Sequence, residues 1–180
     1  MYFQKEGPEN TENTVKLAID SAKEKGIKHI VVASCSGRTA RLLKGLKDLN
    51  VVCVTHVYGF EEKGKNEMAD ETRKELMESG MKLLTTTHVL SGAERGISRK
   101  FGGTYPVEIM AHTLRMFGQG VKVCVEISVM ALDAGLIPYG ERVIAIGGTG
   151  KGADTAVVLT PSHASSIFET RINEIICKPL

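Results

Sequence analysis

The feature that most constrains this chain is the stretch Val31-Val-Ala-Ser-Cys-Ser-Gly-Arg-Thr-Ala-Arg41. An apolar run closes in it and an amphipathic segment opens. His29–Ala33 reads as a buried strand, Arg38–Lys47 as a helix, and Val51–Thr55 as the next buried strand. A strand, a helix and a second apolar strand in that order belong in a parallel sheet whose faces are covered by helices. The rest of the chain keeps the rhythm. Asn10 or Thr11 caps a first helix to Lys25, with Val15, Ala18, Ile19 and Ala22 on one face and Gly26 as its stop. Asn66 caps another helix to Ser79, and Lys82–Thr86 is strand-like. Pro106 suits the first turn of a long helix with a stripe of Val107, Met110, Ala111, Leu114 and Phe117. A strand over Val121–Glu126, a short helix to Ala134, and strands over Arg142–Ile146, Thr155–Thr160 and Asn173–Cys177 complete the expectation. The last three suggest one or more antiparallel edge strands. The fold class is a three-layer α/β/α arrangement on a mostly parallel mixed sheet, one domain over residues 1–180, without repeat or linker.

Between the first strand and its helix lie Ser34, Cys35, Ser36, Gly37, Arg38 and Thr39. A helix start has unpaired N–H groups and partial positive charge, so this turn suits a phosphate, with the hydroxyls, Arg38 and Arg41 in support. The plainer reading is a turn in which Ser36 caps the helix. A second glycine-rich stretch, Gly147, Gly148, Thr149, Gly150, Lys151 and Gly152 to Asp154, joins two apolar runs. It is not a nucleotide-binding Walker loop: Ala145 stands where glycine is needed, Gly152 where Ser or Thr is needed, and a strand-like segment from Thr155 follows. It is either a nest of backbone N–H groups for an anion, with Lys151 adding charge, or a flexible connector.

These two stretches carry a family resemblance. Gly26-Ile-Lys-His-Ile-Val-Val-Ala-Ser-Cys-Ser-Gly-Arg-Thr-Ala-Arg-Leu-Leu43 with Asn50-Val-Val-Cys-Val-Thr55 resembles the start of the C-terminal domain of pyruvate kinases. Gly135-Leu-Ile-Pro-Tyr-Gly-Glu-Arg-Val-Ile-Ala-Ile-Gly-Gly-Thr-Gly-Lys-Gly-Ala-Asp-Thr-Ala-Val-Val-Leu159 is similar to its closing strand-loop-strand. The chain as a whole looks closest to small free-standing archaeal and bacterial members. In allosteric members of the family the two loops hold a sugar-phosphate effector. The resemblance gives that role by position to Ser34, Ser36, Gly37 and Thr39, with Gly148, Thr149, Gly150 and Thr155 opposite. Cys35 departs from the pattern, where a hydroxyl residue is usual, and the segment between Gly59 and Gly120 has no counterpart in it. A pyruvate kinase carries its active site on a (β/α)8 barrel of about 250 residues. A chain of 180 residues has no room for one, so pyruvate kinase activity is not expected.

A net charge of +2 gives no reason to expect nucleic acid or an acidic membrane surface. No apolar run approaches the roughly 20 residues of a membrane span, and the N-terminus lacks the order of a signal peptide. Four cysteines without CxxC spacing suggest reduced thiols in a cytoplasm. Cys53, Cys124 and Cys177 fall in apolar runs and read as core. Cys35, at a helix N-terminus, is expected to have a lowered pKa and some reactivity.

Ligands of such sheets sit beyond the C-terminal ends of the parallel strands. That rule nominates the Ser34–Thr39 turn, Thr55 to Gly59 with His56 and Tyr58, Thr86 to Ser91 with His88, and Glu126. A carboxylate at the end of an apolar strand must be solvated, paired or functional, so Glu126 is either a ligand contact or an ion-pair partner. His56, His88 and His163 match no metal-binding spacing, and no metal is expected. Residues 88–103, with Arg95, Arg99 and Lys100 among glycines, read as a long basic loop that acts as a lid, a solvated surface or a grip on another subunit. Three function classes stand. The first is binding of a phosphorylated small molecule, either a mononucleotide such as FMN or a sugar phosphate. The second is an enzyme using Glu126, His56, His88 or Cys35 on such a ligand, for which no triad or paired-carboxylate pattern is present. The third is a domain that forms homo-oligomers.

Overall fold

A computed structural model describes residues 1–180. Its seven strands are β1 (Tyr2–Phe3), β2 (His29–Ala33), β3 (Asn50–Val54), β4 (Lys82–Leu84), β5 (Val143–Gly147), β6 (Thr155–Thr160) and β7 (Arg171–Pro179). The helices are α1 (Thr11–Lys25), α2 (Arg38–Arg41), α3 (Asp70–Glu78), α4 (Gly92–Phe101), α5 (Pro106–Arg115) and α6 (Gln119–Asp133), with short 3-10 turns at Pro8–Asn10 and Ala164–Glu169. The strands form one sheet in the order β1-β7-β6-β5-β2-β3-β4. β2 pairs in parallel with β3 and β5, β3 with β4, and β1 with β7. Only β6 opposes its neighbours. The expected antiparallel strand is therefore interior, and the edges are the parallel β1 and β4.

Strand side chains alternate between two cores, as the pleat requires. Ile30, Val32, Cys53, Ile144, Ile146 and Val158 meet Val15, Ala18 and Ala22 of α1 and Leu76 of α3 on one face. Val31, Val52, Val54, Ala145, Val157 and Leu159 meet Val121, Cys124, Ile127 and Met130 of α6 on the other. The three-layer α/β/α fold follows. α1 ends as expected at Gly26, whose φ of 65° gives the left-handed cap and whose N–H bonds back to Ala22.

Several elements depart from expectation. α2 stops at Arg41 instead of Lys47, because the chain tightens into i→i+3 bonds (Leu42 N–H to Thr39 O, Leu43 N–H to Ala40 O) and then turns at Gly45, φ 81°. Asn66 caps no helix: its Oδ1 accepts from Met68 N–H, and α3 starts only at Asp70. β4 ends two residues early, at Leu84. The largest correction concerns Val121–Glu126, which is not a strand. It lies within α6, a 15-residue helix buried on nearly every side between the sheet and α5. A helix covered all round carries no polar stripe, so V-K-V-C-V-E imitates strand alternation. Residues 88–103 are not a long loop either, since α4 occupies Gly92–Phe101. Ser98 Oγ donates to Glu108 Oε1 and Glu108 N–H donates to Glu94 Oε2, which ties α4 to α5.

Candidate functional site

The serine turn satisfies itself. Ser34 Oγ accepts the Ala40 N–H at 3.3 Å, so a buried hydroxyl takes one of the donors a helix start leaves open. Ser36 is exposed, caps nothing, and its Oγ accepts from Arg38 Nε. Gly37 has φ 85°, and a Cβ there would lie 2.5 Å from Thr72 Cγ2, so its lack of a side chain admits the chain's own α3. Thr39 is buried beside it.

The glycine loop is also occupied from within. Asp154, wholly buried, accepts the N–H of Thr149 and the N–H of Gly7 on Oδ2, both at 3.2 Å, and the hydroxyl of Thr155 on Oδ1 at 2.8 Å. Ala153 N–H donates to Thr11 Oγ1. Here backbone donors gather round a carboxylate that the sequence itself supplies. Gly148 packs on the backbone of Gly152 and Ala153, while Gly150 and Lys151 form the exposed tip.

Six of the candidates converge. A cavity of about 240 Å³ opens at the C-terminal ends of β2 and β3 and is roofed by α4, α5 and α6. Cys35, Thr55, His56, His88, Ser91 and Glu126 all line it, over an apolar wall that includes Val54, Phe60, Ile127 and Met130. Glu126 reaches it from the second turn of α6. There it pairs with Lys122, one helical turn earlier, and accepts the Leu90 N–H at 3.0 Å. Burial pulls the Lys122 ammonium below its ordinary pKa, against the opposing pull of Glu126. Burial likewise lowers His88, with Glu126 acting the other way.

Arg95 and Arg115 also line the cavity. Both are half-buried, and neither forms an ion pair; Arg115 Nε donates only to Gln119 Oε1 at 2.7 Å. With Glu126 neutralised by Lys122, the lining has a surplus of positive charge. Sequence reasoning placed Arg95 in a basic loop with a lid as one of its readings, but missed Arg115, Gln119 and Lys122. The i,i+4 spacing of Lys122 and Glu126 was the available signal, hidden once the segment was read as a strand. Arg99 and Lys100 are exposed and stand outside the lining.

Cys35 contradicts the expected lowering of its pKa. Desolvation and the nearby Glu67 carboxylate push its thiol up to about 12, and the four-residue α2 gives little dipole to oppose them. Its Sγ, a ring nitrogen of His56 and a carboxylate oxygen of Glu67 lie within 4.8 Å of one another. His163 stands apart, bonded to Asp133 and stacked on Tyr139. No helix is long and apolar enough to cross a membrane, and all four cysteines are free.

The solved structures to which the chain is similar include a pyruvate kinase from Cryptosporidium parvum, 19% identical over 77% of this chain and 20% of that one, with a TM-score of 0.41. Another is Cryptosporidium parvum pyruvate kinase in complex with ADP, 18% identical over 82% of this chain and 22% of that one, with a TM-score of 0.42. This chain thus spans about a fifth of their length. The family profile for the pyruvate kinase alpha/beta domain matches residues 12–159, including the middle segment that the two sequence blocks left uncovered. The chain belongs to the pyruvate kinase alpha/beta domain family.

Proposed function

We propose that this domain binds a small phosphorylated molecule in the cavity at the C-terminal edge of the sheet, without pyruvate kinase activity of its own. The observation that carries this reading is the pair of half-buried guanidiniums, Arg95 and Arg115, that face the cavity without a carboxylate partner. A guanidinium fork matches two phosphate oxygens and gains strength where water is partly excluded. Lys122 neutralises Glu126, so the one buried carboxylate of the lining does not repel the ligand. Thr55, Ser91 and Gln119 offer polar contacts and the apolar wall takes the rest of the molecule. At about 240 Å³ the cavity lies below the roughly 300–1,000 Å³ of typical drug-sized sites, which favours a sugar phosphate over FMN.

A thermal-shift series with sugar phosphates, FMN and inorganic phosphate tests the reading. A ligand at about 100 times its dissociation constant adds about 2.7 kcal/mol of stability. Arg95→Ala and Arg115→Ala are each expected to abolish most of the shift, whereas Ser36→Asp leaves it intact. The reverse pattern moves the phosphate to the serine turn and the Gly147–Thr155 loop, the pair the family resemblance suggests. A flavin absorption spectrum in the purified protein selects FMN. Phosphoryl transfer from phosphoenolpyruvate to ADP, if observed, refutes the absence of kinase activity. The subunit-joining alternative draws on Ile109, Met116 and Phe117, all more than half exposed near or on α5. It predicts a solution mass above one chain that Phe117→Asp reduces.

A further inference from the structure

Beyond the anion-binding reading, and independent of it, the structure gathers three donor side chains that the sequence spaces without any pattern. Hydrogen bonds Ser34 N–H to Val54 O and Thr55 N–H to Leu84 O extend the β2–β3–β4 ladder past the strand ends. Cys35 and His56 are the next residues on adjacent strands and leave the sheet side by side. The chain then loops out and returns at Asn66, whose Nδ2 donates to His56 O at 3.2 Å while its Oδ1 accepts the Met68 N–H at 2.9 Å. That one amide clamps the segment carrying Glu67 against His56, and His56 Nδ1 meets Glu67 Oε1 at 2.5 Å. The His56 ring is fixed further by Phe60 and His88, with ring centroids 3.8 and 5.4 Å away.

We propose that Cys35, His56 and Glu67 form a site for a divalent transition-metal ion of the zinc type, with its fourth position facing the cavity. One sulfur, one nitrogen and one oxygen donor are a zinc ligand set, and three protein ligands with an open position describe reactive rather than structural sites. The thiolate discriminates against calcium and magnesium, which take oxygen ligands. Thiolate and carboxylate together balance the two charges of the ion. Tetrahedral coordination with bonds of about 2.0–2.3 Å sets donor separations of roughly 3.3–3.8 Å. The three donors, all within 4.8 Å of one another, reach that range when the His56–Glu67 pair opens by about 1 Å, a side-chain adjustment. Binding breaks the Cys35 S–H bond and releases its proton to solvent, as a coordinating thiol is deprotonated outright. A nucleophilic relay of the same residues fits less well. A relay places the imidazole between thiol and carboxylate, whereas here all three donor atoms lie within 4.8 Å of one another, so the Glu67 carboxylate approaches the thiol itself as ligands of one ion must.

Cobalt(II) titration of the reduced 180-residue chain tests the site. One equivalent of cobalt is expected to give tetrahedral d–d absorption and a thiolate-to-cobalt charge-transfer band, both displaced by zinc. Cys35→Ser should remove the charge-transfer band, and His56→Ala and Glu67→Gln should each weaken cobalt binding at least about 10-fold. Arg95→Ala should leave the titration unchanged, which separates this outcome from that of the phosphate reading. Glu67 sits on an exposed loop, so Glu67→Gln carries the test if Cys35→Ser does not fold. The absence of saturable absorption, or a band that survives Cys35→Ser, or affinity indifferent to both His56→Ala and Glu67→Gln, overturns the proposal.

Discussion

At the scale of single residues, the side chains of Lys122 and Glu126 are only 6% and 7% exposed, and each is tolerable there because of the other. Removing one partner from such a pair strands the remaining charge, which costs about 3–5 kcal/mol, while replacing both is often neutral. Lys122→Met is therefore expected to lower the urea midpoint strongly. Lys122→Met with Glu126→Gln should recover most of the loss, since the amide oxygen still accepts the Leu90 N–H. Equal losses in the single and double variants would show that the pair is not what makes Glu126 acceptable. His88 supplies a pH prediction. Burial holds its pKa below the ordinary 6.5 despite Glu126, with His56, Lys122 and Arg95 acting in the same direction as burial. Between the folded and unfolded values the unfolded chain binds the extra proton, so the contribution is complete above about 6.5 and is lost as pH falls through the folded value. Melting temperature should drop on acidification below about 6.5, and His88→Gln should flatten that drop. A slope unchanged in His88→Gln assigns the titration to another group.

At the scale of elements, α6 shows why part of the site was hidden in the sequence. Its partner surfaces are the sheet and α5, so no polar face remains to betray a period of 3.6, and valines at 121, 123 and 125 imitate strand alternation. α4 was concealed by Gly92 and Gly96, which read as loop, although it is a helix that presents Arg95 and is tied through Ser98 and Glu94 to Glu108 of α5. By contrast α1 was legible from its apolar face and glycine stop, and β2 and β6 agree with expectation residue for residue. Local pattern sufficed for α1, whose outer face meets water, and for β2 and β6, whose short apolar runs fit no helix; it failed for α6, which is covered on nearly every side, and for α4, whose glycines mask a helix. The tightness of that contact is testable at Gly120. A Cβ there would fall 2.1 Å from Thr155 Oγ1 and 2.4 Å from Thr155 Cβ, where α6 starts against β6. Helix propensity alone makes Gly→Ala favourable by up to about 1 kcal/mol. The clash should reverse the sign and destabilise by about 1–3 kcal/mol in urea unfolding. A stabilised Gly120→Ala variant would mean that α6 sits farther from β6 than described.

At the scale of the whole molecule, the order of elements indicated the sheet and the edge where the cavity opens, at the C-terminal ends of the parallel strands. It did not show which polar groups the chain consumes for itself. Asp154 is the clearest case. It lies at the end of the glycine loop, yet its carboxylate joins three parts of the molecule: Gly7 in the N-terminal segment, Thr149 in the loop, and Thr155 at the start of β6. β1 meets β7 at the sheet edge, and Ala153 N–H bonds Thr11 at the start of α1, so the N-terminal segment is held at both ends. Loss of the carboxylate leaves buried donors unsatisfied, at about 1–3 kcal/mol each. Asp154→Ala should therefore cost at least about 2 kcal/mol and raise hydrogen exchange at Gly7 and Thr149 above that of the β2–β3 core. Lys151→Ala, at the exposed tip of the same loop, should leave stability within about 0.5 kcal/mol. If both variants unfold at the parent's urea midpoint, Asp154 does not fasten the N-terminus. The backbone donors around it would then be free to serve an external anion, and the serine turn and glycine loop would regain the role suggested by the family resemblance.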